Sequence, residues 1–144
     1  CGAVALAQTE RIEEFCDKRI EVGNSYLKMI LDSNTDLLKP QKSPDGFINS
    51  YYTFGVLFNG DKHSIEWQTF RKKYIEFGGD GIYAAWKTQN QEPCFKNNKI
   101  GWGDAPIAEK LQKNLMQFTT NQKNNGEIKV QVDALKKTLE YFGK

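Results

Sequence analysis

The chain has 144 residues, enough for one domain with a core of its own. Its 20 basic and 18 acidic side chains leave a formal charge of +2, with 39% apolar and 26% charged residues. So balanced a composition excludes a disordered tail and a dedicated nucleic-acid binder. No apolar run approaches the roughly 20 residues that a membrane-spanning helix needs.

The chain opens on Cys1, followed by the small apolar run Gly2 to Ala7 and then by Glu10, Arg11, Glu13 and Glu14. A signal peptide would need a basic start and a longer apolar stretch. A lipid-bearing cysteine would lead into a flexible tether, whereas here a helical pattern begins at once. No Ser, Thr, Asp or Asn caps the first apolar residues, so the helix is expected to be already under way, in a chain that starts inside a larger protein. From Val4 to Leu31 the apolar positions step by three and four through Ile12, Phe15, Cys16, Ile20, Leu27 and Ile30. This spacing predicts one long amphipathic helix. At about 1.5 Å per residue it spans ~40 Å. A small domain cannot cover that length, so the helix is expected to lie against a missing domain or a second chain.

Ser33 to Gly46, with Pro40 and Pro44, reads as loop. Ser50 to Phe58 alternates, which predicts a strand with Tyr52, Phe54, Val56 and Phe58 on its buried face. Asn59-Gly60-Asp61 is a turn. Ile65, Trp67, Phe70, Tyr74 and Phe77 return to helical spacing, closed by Gly78-Gly79. Gly81 to Trp86 reads as a short strand, and Thr88 to Gly103 as irregular. Asp104 and Pro106 start a helix with Ile107, Leu111 and Leu115 on one face. Met116 to Thr120 is a candidate third strand. After the turn Asn124-Asn125-Gly126, a final helix carries Ile128, Val132, Leu135, Leu139 and Phe142. The fold class that follows is α+β, a small two- to three-stranded sheet covered by helices.

Most reactive chemistry is absent. Cys1, Cys16 and Cys94 are an odd set without Cys-x-x-Cys spacing and His63 is the one histidine, so neither a disulfide framework nor a zinc site is expected. Reduced thiols and the lack of any Asn-x-Ser/Thr acceptor fit a cytoplasmic protein. There is no phosphate loop, dinucleotide fingerprint or nucleophile elbow. The glycines from Gly78 to Gly81 precede a strand, so they read as a helix stop and a turn. Arg71-Lys72-Lys73-Tyr74 reads as the charged back of a helix, and His63, beside a turn, as a surface residue.

The segment Gly81 to Phe95 is harder to assign to packing. A short strand delivers Tyr83, then Trp86 and Lys87, into a polar loop that also holds Gln91. Aromatic faces with amide and ammonium donors on a loop between rigid elements suit a binding surface.

Three stretches together resemble the C-terminal part of the DegT/StrS-type sugar aminotransferases. Cys1 to Phe15 is similar to the family's Ala-Ala-x-Gly-x-x-Gln-Leu helix. Gly79 to Phe95, with Gly81-Ile82 and Pro93, is similar to its Gly-Ile segment and the loop that follows. Gly103 to Leu111 is similar to its Pro-x-Ala-Glu-x-Leu helix start. One departure is Tyr83-Ala84-Ala85-Trp86, where the family commonly has His-Tyr-Pro.

The resemblance implies a C-terminal small domain of a fold-type-I aminotransferase with an antiparallel sheet. Residues 1–32 would be an interdomain helix continuing from a missing N-terminal large domain, 33–49 a linker, and 50–144 the small domain. It further implies pyridoxal phosphate in the full-length parent and none bound by this stretch alone, because the Schiff-base lysine would lie upstream. The parent would be a cytoplasmic homodimer that passes an amino group, from glutamate, to a keto-sugar nucleotide in cell-surface polysaccharide or amino-sugar biosynthesis. Tyr83, Trp86, Lys87 and Gln91 would face substrate. No catalytic, cofactor-binding or metal-binding residue is expected in the chain, and no nucleic-acid or membrane partner. The competing reading is a free-standing module that binds a ligand or protein through the Tyr83–Phe95 loop.

Overall fold

The structure is a computed structural model and describes residues 1–98 and 105–143. Its centre is a four-stranded antiparallel sheet: β1 (Leu38–Pro40), β2 (Phe54–Phe58), β3 (Ile82–Ala84) and β4 (Leu115–Phe118), in the order β1-β2-β4-β3. The α+β class and the antiparallel sheet are as expected. The additional strand is β1, which lies inside the segment read as loop. Three residues ending in a proline carry no alternation to detect, and Pro40 is tolerated because β1 is an edge strand.

Seven α-helices surround the sheet among the described residues: α1 (Gly2–Glu10), α2 (Ile12–Asp32), α3 (Gly60–His63), α4 (Trp67–Glu76), α5 (Pro93–Asn98), α6 (Pro106–Asn114) and α7 (Asn125–Phe142). The long first helix is therefore two helices. Thr9 Oγ1 donates to the Ala5 carbonyl (2.9 Å) and Arg11 N tightens onto Gln8 O, leaving Arg11 at φ −109°, ψ 9°. Back-bonding of this kind bends a helix.

The alternation expected through Tyr52 also fails. Tyr51 sits at φ +46° and is buried, while Tyr52 is 80% exposed and β2 proper starts at Phe54. Arg19 fixes this corner by donating to Tyr52 O (2.7 Å) and Thr120 Oγ1 (3.0 Å), and Thr120 Oγ1 in turn donates to Tyr51 O (2.7 Å). Leu115 opens β4 instead of closing the helix before it. The turn at residue 60 is the one-turn helix α3, and the segment read as irregular holds a 3-10 turn (Gln89–Gln91) and α5. Gly103 and Asp104, part of the expected start of α6, lie outside the described residues.

Helix ends follow their sequence signals where these are local. Gly78, at φ +96°, and Gly79 donate to Ile75 O and Tyr74 O and close α4. Asn124 accepts from Glu127 N (3.0 Å) while Glu127 accepts from Lys123 N (2.8 Å), a reciprocal cap that opens α7.

One face of the sheet and helices α2, α4 and α7 form the core. Phe54, Phe118 and Ile82 stand in register across β2, β4 and β3 and are all buried. Tyr26 of α2 stacks on Phe54 (5.4 Å) and lies tilted against Phe118 (5.6 Å), and Tyr74 of α4 meets Phe118 edge-on (5.4 Å). The Tyr74 hydroxyl donates to Gln131 Oε1 (2.7 Å), which leaves Tyr26 as the donor in the 3.4 Å contact between the two hydroxyls. Gln131 Oε1 also accepts from Asp80 N (2.8 Å). Helix α6 has the opposite character. It buries no residue, Glu109, Gln112 and Asn114 are its half-buried side chains, and Ile107 (77%) and Leu111 (45%) are exposed.

Gly23 of α2 lies under the Tyr51 ring so closely that a Cβ there would collide with it. Gly23→Ala should therefore lower stability by about 1–3 kcal/mol, measured by urea unfolding, because Tyr51 is held by its strained backbone and cannot retreat. Burial pushes the Tyr26 hydroxyl up to about 12 and raises Tyr74 as well. Both phenols stay neutral in the fold, whereas in the unfolded chain they ionise near pH 10. Stability should hold up to about pH 10 and then fall by about 1.4 kcal/mol per pH unit for each tyrosine. In Tyr26→Phe the slope should be shallower by one tyrosine's share, as read by denaturant midpoints between pH 9 and 12.

Candidate functional site

Ile82 is buried and pairs with Phe118, and Arg71 Nε donates to its carbonyl (3.2 Å), so β3 is fixed from both sides. The chain then turns abruptly: Ala85 takes φ +52°, a conformation that costs a non-glycine residue roughly 1–2 kcal/mol. That turn throws Trp86 outward. Its ring meets Tyr83 edge-to-face, with centroids 6.1 Å apart and planes at 76°, and both rings remain open to solvent, Tyr83 at 53% and Trp86 at 67%.

Lys87 is exposed on the far side of the turn, and Gln91 is exposed at the end of the 3-10 turn. The structure thus brings together two of the four residues singled out from sequence, Tyr83 and Trp86. No side-chain hydrogen bond among the described residues joins Lys87 or Gln91 to them. The loop is strapped to α6 by Asn90 Nδ2, which donates to Glu109 Oε1 (3.0 Å), an oxygen that also accepts from Ala105 N (3.4 Å). Thr88 Oγ1 is buried without a hydrogen-bond partner among the described residues. Chemically this is an aromatic edge with an ammonium and amides nearby. It suits stacking and anion contact.

An open groove of about 1390 Å³ lies elsewhere, between α2 and α7, with Met29, Ile128 and Val132 among its lining. At its mouth, His63 Nε2 is 2.7 Å from Asp36 Oδ1, and Lys62 bonds the other oxygen of the same carboxylate. The Lys62 hydrogen bond, followed by the nearby charges, holds the Asp36 carboxyl below its ordinary range. His63 is a partly exposed residue, in keeping with the surface position expected of it, but its partner was not legible: Asp36 reaches it through the β1–β2 pairing, and no local spacing announces that. Glu109 is likewise a positioning residue whose bond to Asn90 the sequence does not display.

Severing the strap with Glu109→Ala should leave the sheet intact, lower stability by about 1 kcal/mol, and speed limited proteolysis within the Lys87–Gln91 stretch. Unchanged cleavage would show that Glu109 does not hold the loop.

No protein-family model matches the sequence, and no curated protein does. Among solved structures, the fold is that of the C-terminal part of sugar aminotransferases. The aminotransferase from Psychrobacter cryohalolentis matches with a TM-score of 0.82 and 15% identity, over 99% of this chain and 38% of its own. Helicobacter pylori PseC, an aminotransferase involved in the biosynthesis of pseudoaminic acid, matches at 0.77 and 14%, over 96% of this chain and 36% of its own. The putative sugar aminotransferase Spr1654 from Streptococcus pneumoniae, in its PLP-form, matches at 0.71 and 13%, over 95% of this chain and 34% of its own. The chain therefore spans little more than a third of the proteins it resembles. No helix among the described residues is long and apolar enough to cross a membrane.

Proposed function

We propose that the chain is the C-terminal portion of a pyridoxal-phosphate-dependent sugar aminotransferase of the DegT/StrS type. The carrying observation is the asymmetry of the structural match: nearly all of this chain coincides with about a third of a sugar aminotransferase. Residues 1–32 are then the connector to the large domain, 33–49 the linker and 50–144 the small domain. Helix α1 supports this reading, since Ala3, Val4, Ala5, Leu6 and Ala7 make it apolar on every side and it buries none of them. A helix apolar all round belongs in an interior.

The cofactor's chemistry is that of an electron sink bound to a lysine as an imine. The lysines whose burial is described do not fit that task, because each of them is exposed or half-buried. The lysine and the phosphate site belong, in this proposal, to the large domain. What this chain contributes is substrate contact. Trp86, backed by Tyr83, offers a face for the nucleotide end of a keto-sugar nucleotide, Lys87 meets a phosphate or carboxylate, and Gln91 supplies an amide. Glutamate is the amino donor, the parent is a cytoplasmic homodimer, and the product feeds cell-surface polysaccharide or amino-sugar synthesis. The exposed ring pair also suits a second reading, a free-standing binding module.

Kinetics separate the two. In the full-length enzyme, Trp86→Ala should raise KM for the keto-sugar nucleotide about tenfold with kcat little changed, in line with the ~1–3 kcal/mol of a base–aromatic stack. An unchanged KM retires the role of Trp86. Titrating the isolated chain with pyridoxal phosphate should give no imine absorbance band, and a stoichiometric band would overturn the assignment of the lysine to the large domain.

A further inference from the structure

The core takes one face of the sheet, and the other face carries a pattern of its own. The register sets Gly55 of β2 against Gln117 of β4, and Gln117 against Tyr83 of β3. These residues alternate with Phe54, Val56, Met116, Phe118 and Ile82, which are buried, so they face away from the core. Gln41, just past β1, continues the line, since its backbone N–H donates to Gly55 O (3.3 Å). At about 4.8 Å per strand, the row Gln41–Gly55–Gln117–Tyr83 is ~15 Å long. It ends at the ring that meets Trp86. Gly55 is the unexpected member. A glycine inside a central strand weakens it, and close approach of a ligand is one reason to have it there. Its φ is not positive, so the backbone does not require glycine. Among the described residues, a Cβ at Gly55 would come within 4 Å of a single atom, Gln41 Oε1 at 4.0 Å. Packing does not require glycine either, in contrast to Gly23. The space above Gly55 is a niche.

An amide stands on either side of that niche. Each offers two N–H donors and a carbonyl acceptor, and no hydrogen bond joins the side chain of Gln41 or Gln117 to another described residue. Their backbone positions are two strand spacings apart, about 10 Å, a span that takes a pyranose ring with its hydroxyls. The neighbouring row on the same face is Lys39–Leu57–Leu115. Neither row holds a carboxylate, so the face is neutral to basic, with Lys39 at one margin and Lys87 beyond Trp86 at the other. Amides for hydroxyls, an aromatic ring for a C–H face and ammonium groups for a phosphate together suit a phosphorylated sugar. We propose that this row is a sugar subsite. The ring of a sugar nucleotide lies over Gly55, its hydroxyls bonded by Gln41 and Gln117 and its edge toward Tyr83, while the base stays on Trp86. The subsite rests on the keto-sugar nucleotide reading above and adds the place on the sheet where the sugar, as distinct from the base, is held.

Steady-state kinetics of the full-length enzyme, with urea unfolding of each variant, test this. Gly55→Ala and Gly55→Val fill the niche in two steps. The fold should accept both with unchanged or higher urea midpoints, since β-branched residues suit a strand better than glycine does. KM for the keto-sugar nucleotide should rise in that order, at least about tenfold with Gly55→Val. Gln117→Leu, close in volume, should raise it about tenfold through the lost hydrogen bonds. The inhibition constant of the free nucleoside diphosphate should stay at the wild-type value in all three, because the base and phosphates lie on the Trp86 side. A KM indifferent to Gly55→Val and Gln117→Leu overturns the subsite and leaves the parent reading standing. An equal loss of affinity for the nucleoside diphosphate overturns it as well, because the substitutions then disturb the whole site. A lowered urea midpoint for Gly55→Val overturns the open niche. An enzyme that turns over no keto-sugar nucleotide overturns the parent reading and the subsite with it.

Discussion

One buried ring organises the molecule. Tyr26 is wholly inaccessible, and its ring lies against Phe54 and Phe118, one from each central strand. Its hydroxyl reaches Tyr74, and through it Gln131 and the backbone of Asp80. A single path of contacts thus runs from α2 through the sheet to α4, α7 and the turn that leads into β3. A phenol in that position must have an acceptor, because an unsatisfied hydroxyl in the interior costs about 1–3 kcal/mol. The requirement fixes where α4 and α7 lie relative to α2. It also fixes the starting point of the strand that carries the candidate site.

The contrast between that interior and the exterior carries the functional argument. The core is aromatic, interlocked and hydrogen-bonded, whereas α1, Leu31 of α2, Phe47 and Ile48, and the apolar side of α6 are uncovered. Monomeric proteins seldom leave several such surfaces open without a partner for them. A domain that is well ordered inside and incompletely dressed outside suits a part of a larger assembly, in agreement with the third of an aminotransferase that it matches.

What sequence made legible follows the reach of each signal. Periodicity over many residues located α2, α4 and α7, and glycine pairs and an Asn–Glu cap marked their ends, because these signals act within a few residues. Strand β2 was found in its phase, with Phe54, Val56 and Phe58 buried, but carried too far back through Tyr52, since the inversion at Tyr51 is imposed by Arg19 and Thr120 from distant parts of the chain. Strand β1 was invisible because only its pairing with β2 defines it. Of the candidate loop, the neighbouring rings of Tyr83 and Trp86 were within reach of a local reading. The strap from Asn90 to Glu109 was not, as it spans a stretch with no pattern of its own.

The inverted helix α6 has a wider consequence. Neither it nor the turn from Ala85 to Gln91 contributes a side chain to the core, so, apart from the Asn90–Glu109 strap and Ala85, replacements there are not filtered by core packing. Mutational drift can alter the rings, the ammonium and the amides of that rim while the aromatic centre stays constant. A scaffold divided in this way can be retuned to new ligands one residue at a time, each variant being judged on recognition alone.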